Sequence, residues 1–191
     1  MPVDPTAAIL MYFLMPVWLM VGVADWLCHK ATHIERTSGA NETVLHLMMF
    51  AEIGLPLLAA IFLDVNALII GFMIVMFLLH EATAMWDVDY AVARRRVTPL
   101  EQHVHSFLEM IPLMALLLII ARHWPQFLAL FGAGEETARL DLARKTPSLS
   151  PTYIVAVLAA ASVVALLYVE ELFRCLRAKR RVAFAMPKAS G

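Results

Sequence analysis

Five apolar runs organise this chain of 191 residues, and each is long enough to cross a hydrocarbon core of about 30 Å as a helix of about 20 residues. Few features restrict a polypeptide more. Lipid offers the backbone no hydrogen-bond partner, so every N–H and C=O must be satisfied within the segment itself. The runs lie near 7–28, 44–63, 67–86, 100–121 and 152–173. A hydrophobic content of 61% against 16% charged residues excludes an ordinary soluble domain. The sequence predicts an all-α polytopic membrane protein: a single integral domain over 1–191, with spans one to four forming a metal-binding four-helix bundle and span five serving as packing or an anchor.

The connections sharpen this outline. Asp64 to Asn66 is short enough for a tight turn only, which makes spans two and three an antiparallel hairpin. Thr98, Pro99 and Glu101 match the N-cap, N1 and N3 positions of a capping box, so span four begins there. Residues 123–150 form the one long connection, with room for a short surface helix. The start, MPVDPTAAIL, lacks the positive region of a secretory signal, and the first apolar run is expected to stay in the mature protein.

Orientation follows from Lys and Arg in short loops. Lys30, Arg36, Arg94 to Arg96, Arg174, Arg177, Lys179, Arg180, Arg181 and Lys188 fall on one side, against Arg122, Arg139, Arg144 and Lys145 on the other. The expected protein is integral to the inner (cytoplasmic) membrane, with its N-terminus outside and a basic cytoplasmic tail over 174–191. A net charge of -1 with no basic stripe excludes nucleic acid as a partner. Membrane lipids are the expected surroundings, and the small size is compatible with a homo-oligomer. Cys28 and Cys175 form no CxxC pair and receive no role.

On this topology six of seven histidines fall at the cytoplasmic end: His29 and His33 close span one, His46 opens span two, His80 lies in span three, and His103 and His105 open span four. Only His123 falls at the other end. Residues four or seven apart share a helix face. Asp25, His29 and His33 therefore form one stripe, Glu42 and His46 a second, His80 and Asp87 a third, and Glu101, His105 and Glu109 a fourth. His103 and His105 face nearly opposite sides of one helix, and His105, with Glu109 one turn deeper, is the better candidate. Plainer roles exist for some of these groups: Glu101 as a capping residue, Glu42 as a first-turn acid, Arg94 to Arg96 as a solvated loop, and Trp26 and Trp86 as interfacial belt aromatics.

Ionisable groups at such depth cost several kcal/mol unless they are paired, hydrated or bound to metal. Glu52 and Glu109 lie deepest, each followed by a proline, Pro56 and Pro112, which frees carbonyls in the preceding turn. Imidazole with carboxylate suits iron, manganese or zinc, and the number of ligands exceeds what one tetrahedral ion needs. The expected cofactors are two metal ions, iron first, with zinc or manganese as alternatives. The candidate ligands are His29, His33, His46, His80, His103, His105, Glu109, Asp25 and Asp87, and the candidate catalytic carboxylates are Glu109, Glu52 and Asp25.

The H-x-x-x-H pair of His29 and His33, at the cytoplasmic end of a span, resembles the first histidine box of the membrane-bound fatty-acid desaturase and hydroxylase superfamily. The later H-x-x-H-H boxes of that family have no counterpart in 103-HVH-105 or 80-HE-81. The resemblance implies a di-iron oxidoreductase that uses O2 to hydroxylate or desaturate a lipid or other apolar substrate from the inner leaflet, with an electron donor. A zinc-dependent hydrolase of lipid or amide bonds is the nearest alternative. Two non-enzymes complete the set: a haem electron carrier using opposed imidazoles such as His46 and His80, and a metal transporter.

Overall fold

The computed structural model describes residues 4–185, with side chains to Arg181, and places five helices long and apolar enough to cross a membrane in one bundle. They are Pro5–Ala31, Ala40–Phe62, Ala67–Val92, Pro99–Arg122 and Pro151–Ala185, here spans one to five. The protein is an all-α polytopic membrane protein. Lys188 lies outside the described residues.

Local chemistry sets the helix ends. The Asp4 carboxylate accepts the N–H groups of Thr6 and Ala7 ahead of Pro5 at N1. Span one then passes through a π turn at Leu10–Leu14, where the Met15 N–H reaches back to Leu10 O. Pro16 follows at once and has no N–H to give Tyr12, so the ladder loosens where that bond is missing. Span one stops after Ala31, and His33 turns into the left-handed region at φ 53. Gly39, at φ 69 and ψ -153, lies in a region open only to glycine and launches span two. Span four opens with the expected capping box: Thr98 Oγ accepts from the Glu101 N–H, and the Glu101 carboxylate accepts from the Thr98 N–H.

Spans two and three form the expected hairpin. The connection after span four contains the short helix Trp124–Leu130 and then crosses the end of that hairpin. Asp64 N–H donates to Ala143 O, Leu68 N–H to Arg139 O, and Lys145 N–H to Phe62 O. The Asn66 amide donates to Asp141 O at 2.8 Å. The long connection thereby closes the bundle opposite the histidines.

The interior is narrow. Leu14, Trp18, Leu19, Ile111, Val164 and Tyr168 form one core, and Val65, Ile69, Ile70 and Met73 a second beneath the crossing loop. Leu78, Leu117, Val155 and Leu166 are exposed around the outside, a surface suited to lipid. Span five packs directly on spans one and two, the first of the two roles expected of it. Gly22 makes this approach possible: a Cβ there would stand 3.1 Å from Val164 Cγ1, and small residues allow close helix contact in membranes. Span five also runs well beyond residue 173, where Arg174, 20% exposed, reaches Glu35 and Glu171.

Candidate metal centre

Each of the five spans contributes a buried polar side chain to one cluster at the histidine end. Span one gives Asp25 and His29, span two Glu42 and His46, span three Asp87, span four Glu101 and His105, and span five Tyr168 and Glu171. All but His105 are buried, and the His105 side chain is 13% exposed.

The hydrogen bonds determine which atoms remain free. His29 Nδ1 lies 3.2 Å from Glu171 Oε2. The carboxylate accepts, so in the neutral ring the proton sits at Nδ1 and the lone pair at Nε2, which faces Asp25 Oδ1 and Glu101 Oε1, both at 3.4 Å. His46 is arranged the other way round: in the neutral ring Nε2 donates to Asp87 Oδ2 at 3.2 Å, and the lone pair is at Nδ1, 3.7 Å from Glu171 Oε1. Tyr168 donates to Asp25 Oδ2 at 3.1 Å, which turns Asp25 Oδ1 towards His29 Nε2 at 3.4 Å and His105 Nε2 at 2.8 Å. Four buried atoms of the cluster, Asp25 Oδ1, His29 Nε2, His46 Nδ1 and Asp87 Oδ1, form no well-directed hydrogen bond despite these close approaches. The rings of His29 and His46 stack with centroids 4.5 Å apart and planes 10° apart.

Buried His, Asp and Glu groups here could hold a metal ion. Asp25, His29, His46 and His105 each offer a ligand atom within 4.8 Å of the others. Two further sets, His29–Glu42–Glu101 and Glu42–His46–Asp87, overlap the first through the two stacked imidazoles.

Charge balance adds weight to this arrangement. Asp25, Glu42, Asp87, Glu101 and Glu171 are each 1% exposed or less, and buried carboxylates need compensating positive charge. Arg95 supplies part of it. Its side chain, 3% exposed, donates to Glu42 from Nε at 3.1 Å and to Glu101 from Nη1 at 2.9 Å. Burial works against that charge, but the hydrogen bonds to Glu101 and Glu42 hold the Arg95 pKa above the usual guanidinium range. Glu171 binds Thr43 Oγ at 3.0 Å and has Arg174 at 3.7 Å.

Of the predicted ligands, His29, His46, His105, Asp25 and Asp87 meet in this cluster, whereas His33 and His103 lie outside it. The i, i+4 stripe fails at His33 because the helix has already ended; its side chain is 61% exposed and pairs with Glu35 at 3.4 Å. His103 is exposed and packs edge-on against Phe107, as its opposite phase to His105 requires. His80 and Glu109 line a small chamber beside the cluster, with Trp18, Phe50, Leu108 and Val164 among its other walls. Neither belongs to a ligand set. His80 faces Glu52 at 3.9 Å, and Glu52 accepts from Thr83 at 2.8 Å, forming a separate polar step deeper in the bundle.

The sequence reading missed Arg95, Glu171 and Tyr168; it placed Glu42 and Glu101 on the inward stripes of His46 and His105, with capping roles as the plainer alternative. Arg95 is hidden among three arginines that all look solvated. Tyr168, Glu171 and Arg174 do carry a signal, a Y-x-x-E-x-x-R face at i, i+3 spacing inside an apolar helix. Because Glu171 fixes the proton position on His29 and faces His46 Nδ1 at 3.7 Å, Glu171→Gln is expected to weaken metal binding by about 10–100-fold, as the loss of groups that orient ligands does. Competition with a chelator of known affinity measures it. Family models, curated proteins and solved structures include no match to this chain, so the geometry of the centre itself carries the functional reading.

Proposed function

We propose that the protein is a membrane oxidoreductase built on one metal ion, held by Asp25, His29, His46 and His105, and acting on an apolar substrate. One observation carries the reading: Asp25 Oδ1, His29 Nε2 and His46 Nδ1 are buried, make no well-directed hydrogen bond, and belong to residues whose ligand atoms converge. Leaving three such atoms unsatisfied in a medium of low dielectric is costly, and a single cation satisfies them together. The residue count alone suggests two ions. Arg95, however, already engages Glu42 and Glu101, which narrows the reading to one.

Iron is the assignment, because the chamber next to the ligands is walled largely by apolar side chains and suits a substrate that reacts at carbon. Bound iron would supply the redox chemistry towards O2. The chain's own groups do the remaining work. Glu171 and Asp87 hold the imidazole protons away from the ligand nitrogens, and Tyr168 fixes the Asp25 carboxylate. Trp18, Phe50, Leu108 and Val164 exclude water. Glu109 and His80 stand in the chamber wall as the groups nearest the substrate space that can carry protons, with Glu52 behind His80. The basic segments favour a cytoplasmic location for this end, with the N-terminus outside, and an electron donor is expected there.

A zinc hydrolase is the second reading, favoured by the convergence of three imidazoles and a carboxylate on one point, a set that can activate a water. Haem is less well supported, since His46 stacks on His29 instead of opposing another imidazole across a porphyrin. Elemental analysis of protein purified in mild detergent decides between them. About one iron per chain is expected from a single His/carboxylate set. A pair of irons would restore the bridged centre, one zinc would favour hydrolysis, and a chain that takes up no metal on supplementation would end the proposal.

A further inference from the structure

A second cavity, of about 240 Å³, lies among all five spans on the side of the chamber away from the candidate metal cluster. Leu14, Met73, Ile111 and Leu116 typify its walls, and Trp18, stacked on Phe50 at 5.9 Å, stands in the wall of both cavities. The far end changes character, with Arg122, His123 and Lys145 lining it. Arg122 pairs with Asp4, and the nearby Asp64 is held by Arg139 at 2.8 Å. Among the described residues, Lys145 and His123 have no ion pair. Burial first, and then the charge of Arg122, keep Lys145 below its usual pKa with Asp64 opposing. His123 is lowered by burial and then by Lys145 and Arg122, again against Asp64. Positive charge at this mouth exceeds what its acids neutralise.

The two adjoining cavities are therefore asymmetric in charge, cationic at one end and lined by the carboxylates of Asp25, Asp87 and Glu109 at the other, with apolar walls between. About 25 Å of helix separates Arg122 from His105 at 1.5 Å per residue, within the reach of a long acyl chain. We infer that the cavity binds a single-chain anionic amphiphile, a long-chain carboxylate or phosphate monoester, with its head at Lys145 and Arg122 and its tail directed past Trp18 towards Asp25 and His105. The reverse pose would set an anion beside Asp25, Asp87 and Glu109. Binding stands on the cavity itself; only the fate of the tail, oxidation remote from the head, rests on the metal-centre reading.

Titration with a fluorescent dansylamino-undecanoate tests this on the full chain in nanodiscs of zwitterionic phospholipid, with palmitate, lysophosphatidate and hexadecanol as competitors. Displacement by palmitate, by lysophosphatidate or by both supports the site and tells a carboxylate head from a phosphate one. Hexadecanol should compete at least about tenfold more weakly, since it lacks the charge-assisted contacts at the mouth. Lys145→Gln, which breaks no ion pair, should lower the affinity for the anionic amphiphile about tenfold by the same loss. Ala115→Trp, which fills the cavity midway, should abolish binding, and both variants should keep their metal. Equal competition by the alcohol, an unchanged Lys145→Gln variant, or no displacement at all overturns the inference. Metal content read on the same samples separates the two proposals: metal without amphiphile binding sinks this one alone, and amphiphile binding without metal sinks the centre alone.

Discussion

Replacing His29 with alanine is expected to empty the metal centre. His29 is fully buried, belongs to two of the three overlapping ligand sets, and stacks on the ring of His46. Its removal takes away one ligand directly and lets a second, His46, turn. It also leaves Asp25, Glu101 and Glu171 facing a void where an imidazole stood. The loss in metal affinity should exceed the about 10–100-fold typical when a group that merely orients a ligand is removed. A further cost of about 2–5 kcal/mol in stability is expected from a buried large-to-small change. His105→Ala should empty the centre equally, with a smaller stability cost because that ring is partly exposed. His33→Ala, His103→Ala and His123→Ala should remain fully loaded, since those rings lie outside the cluster. Elemental analysis of the five proteins side by side is the measurement, and unchanged metal in His29→Ala and His105→Ala would remove the ligand assignment.

The second large effect is on folding. Arg95→Gln should destabilise the bundle by about 3–5 kcal/mol, the range for removing one partner of a buried ion network. Glu42 and Glu101 are fully buried and share this guanidinium. Without it, two carboxylates from different spans repel each other across a short gap next to His29. A solvated loop arginine would instead cost well under 1 kcal/mol, so the two descriptions of Arg95 differ by a margin that thermal or denaturant unfolding in detergent can resolve. Combining Arg95→Gln with Glu42→Gln and Glu101→Gln should recover most of the loss, because the uncompensated charge is what destabilises. If Arg95→Gln unfolds like the wild type, the buried network is not stabilising the fold.

The helices were legible in the sequence because lipid makes a simple demand, and both length and apolar content answer it. The capping box at Thr98 and the tight link after Leu63 were legible for the same reason: they are local. Within the site, helical phase placed Asp25 with His29 and separated His105 from His103. It misplaced His33 because phase applies only while the helix lasts, and a single left-handed residue ended it. Arg95, Glu171 and Tyr168 were hidden for a different reason. Each acquires its role through a partner at least 53 positions away or across the bundle, as the distances from Arg95 to Glu42 and from Glu171 to His29 show. No periodicity along the chain records such a meeting. Neutralising partners of this kind have to be sought by asking which buried acids lack a cation.

Span five has a consequence for biogenesis. Its carboxylate pairs with His29 Nδ1, and its phenol steadies Asp25, yet it is made after the four spans that carry the other polar groups of the cluster. Four helices can already be lodged in the bilayer while the pocket is still loose, and a metal held there would be loaded only once span five has been threaded. Metal retention should therefore report on completed membrane insertion.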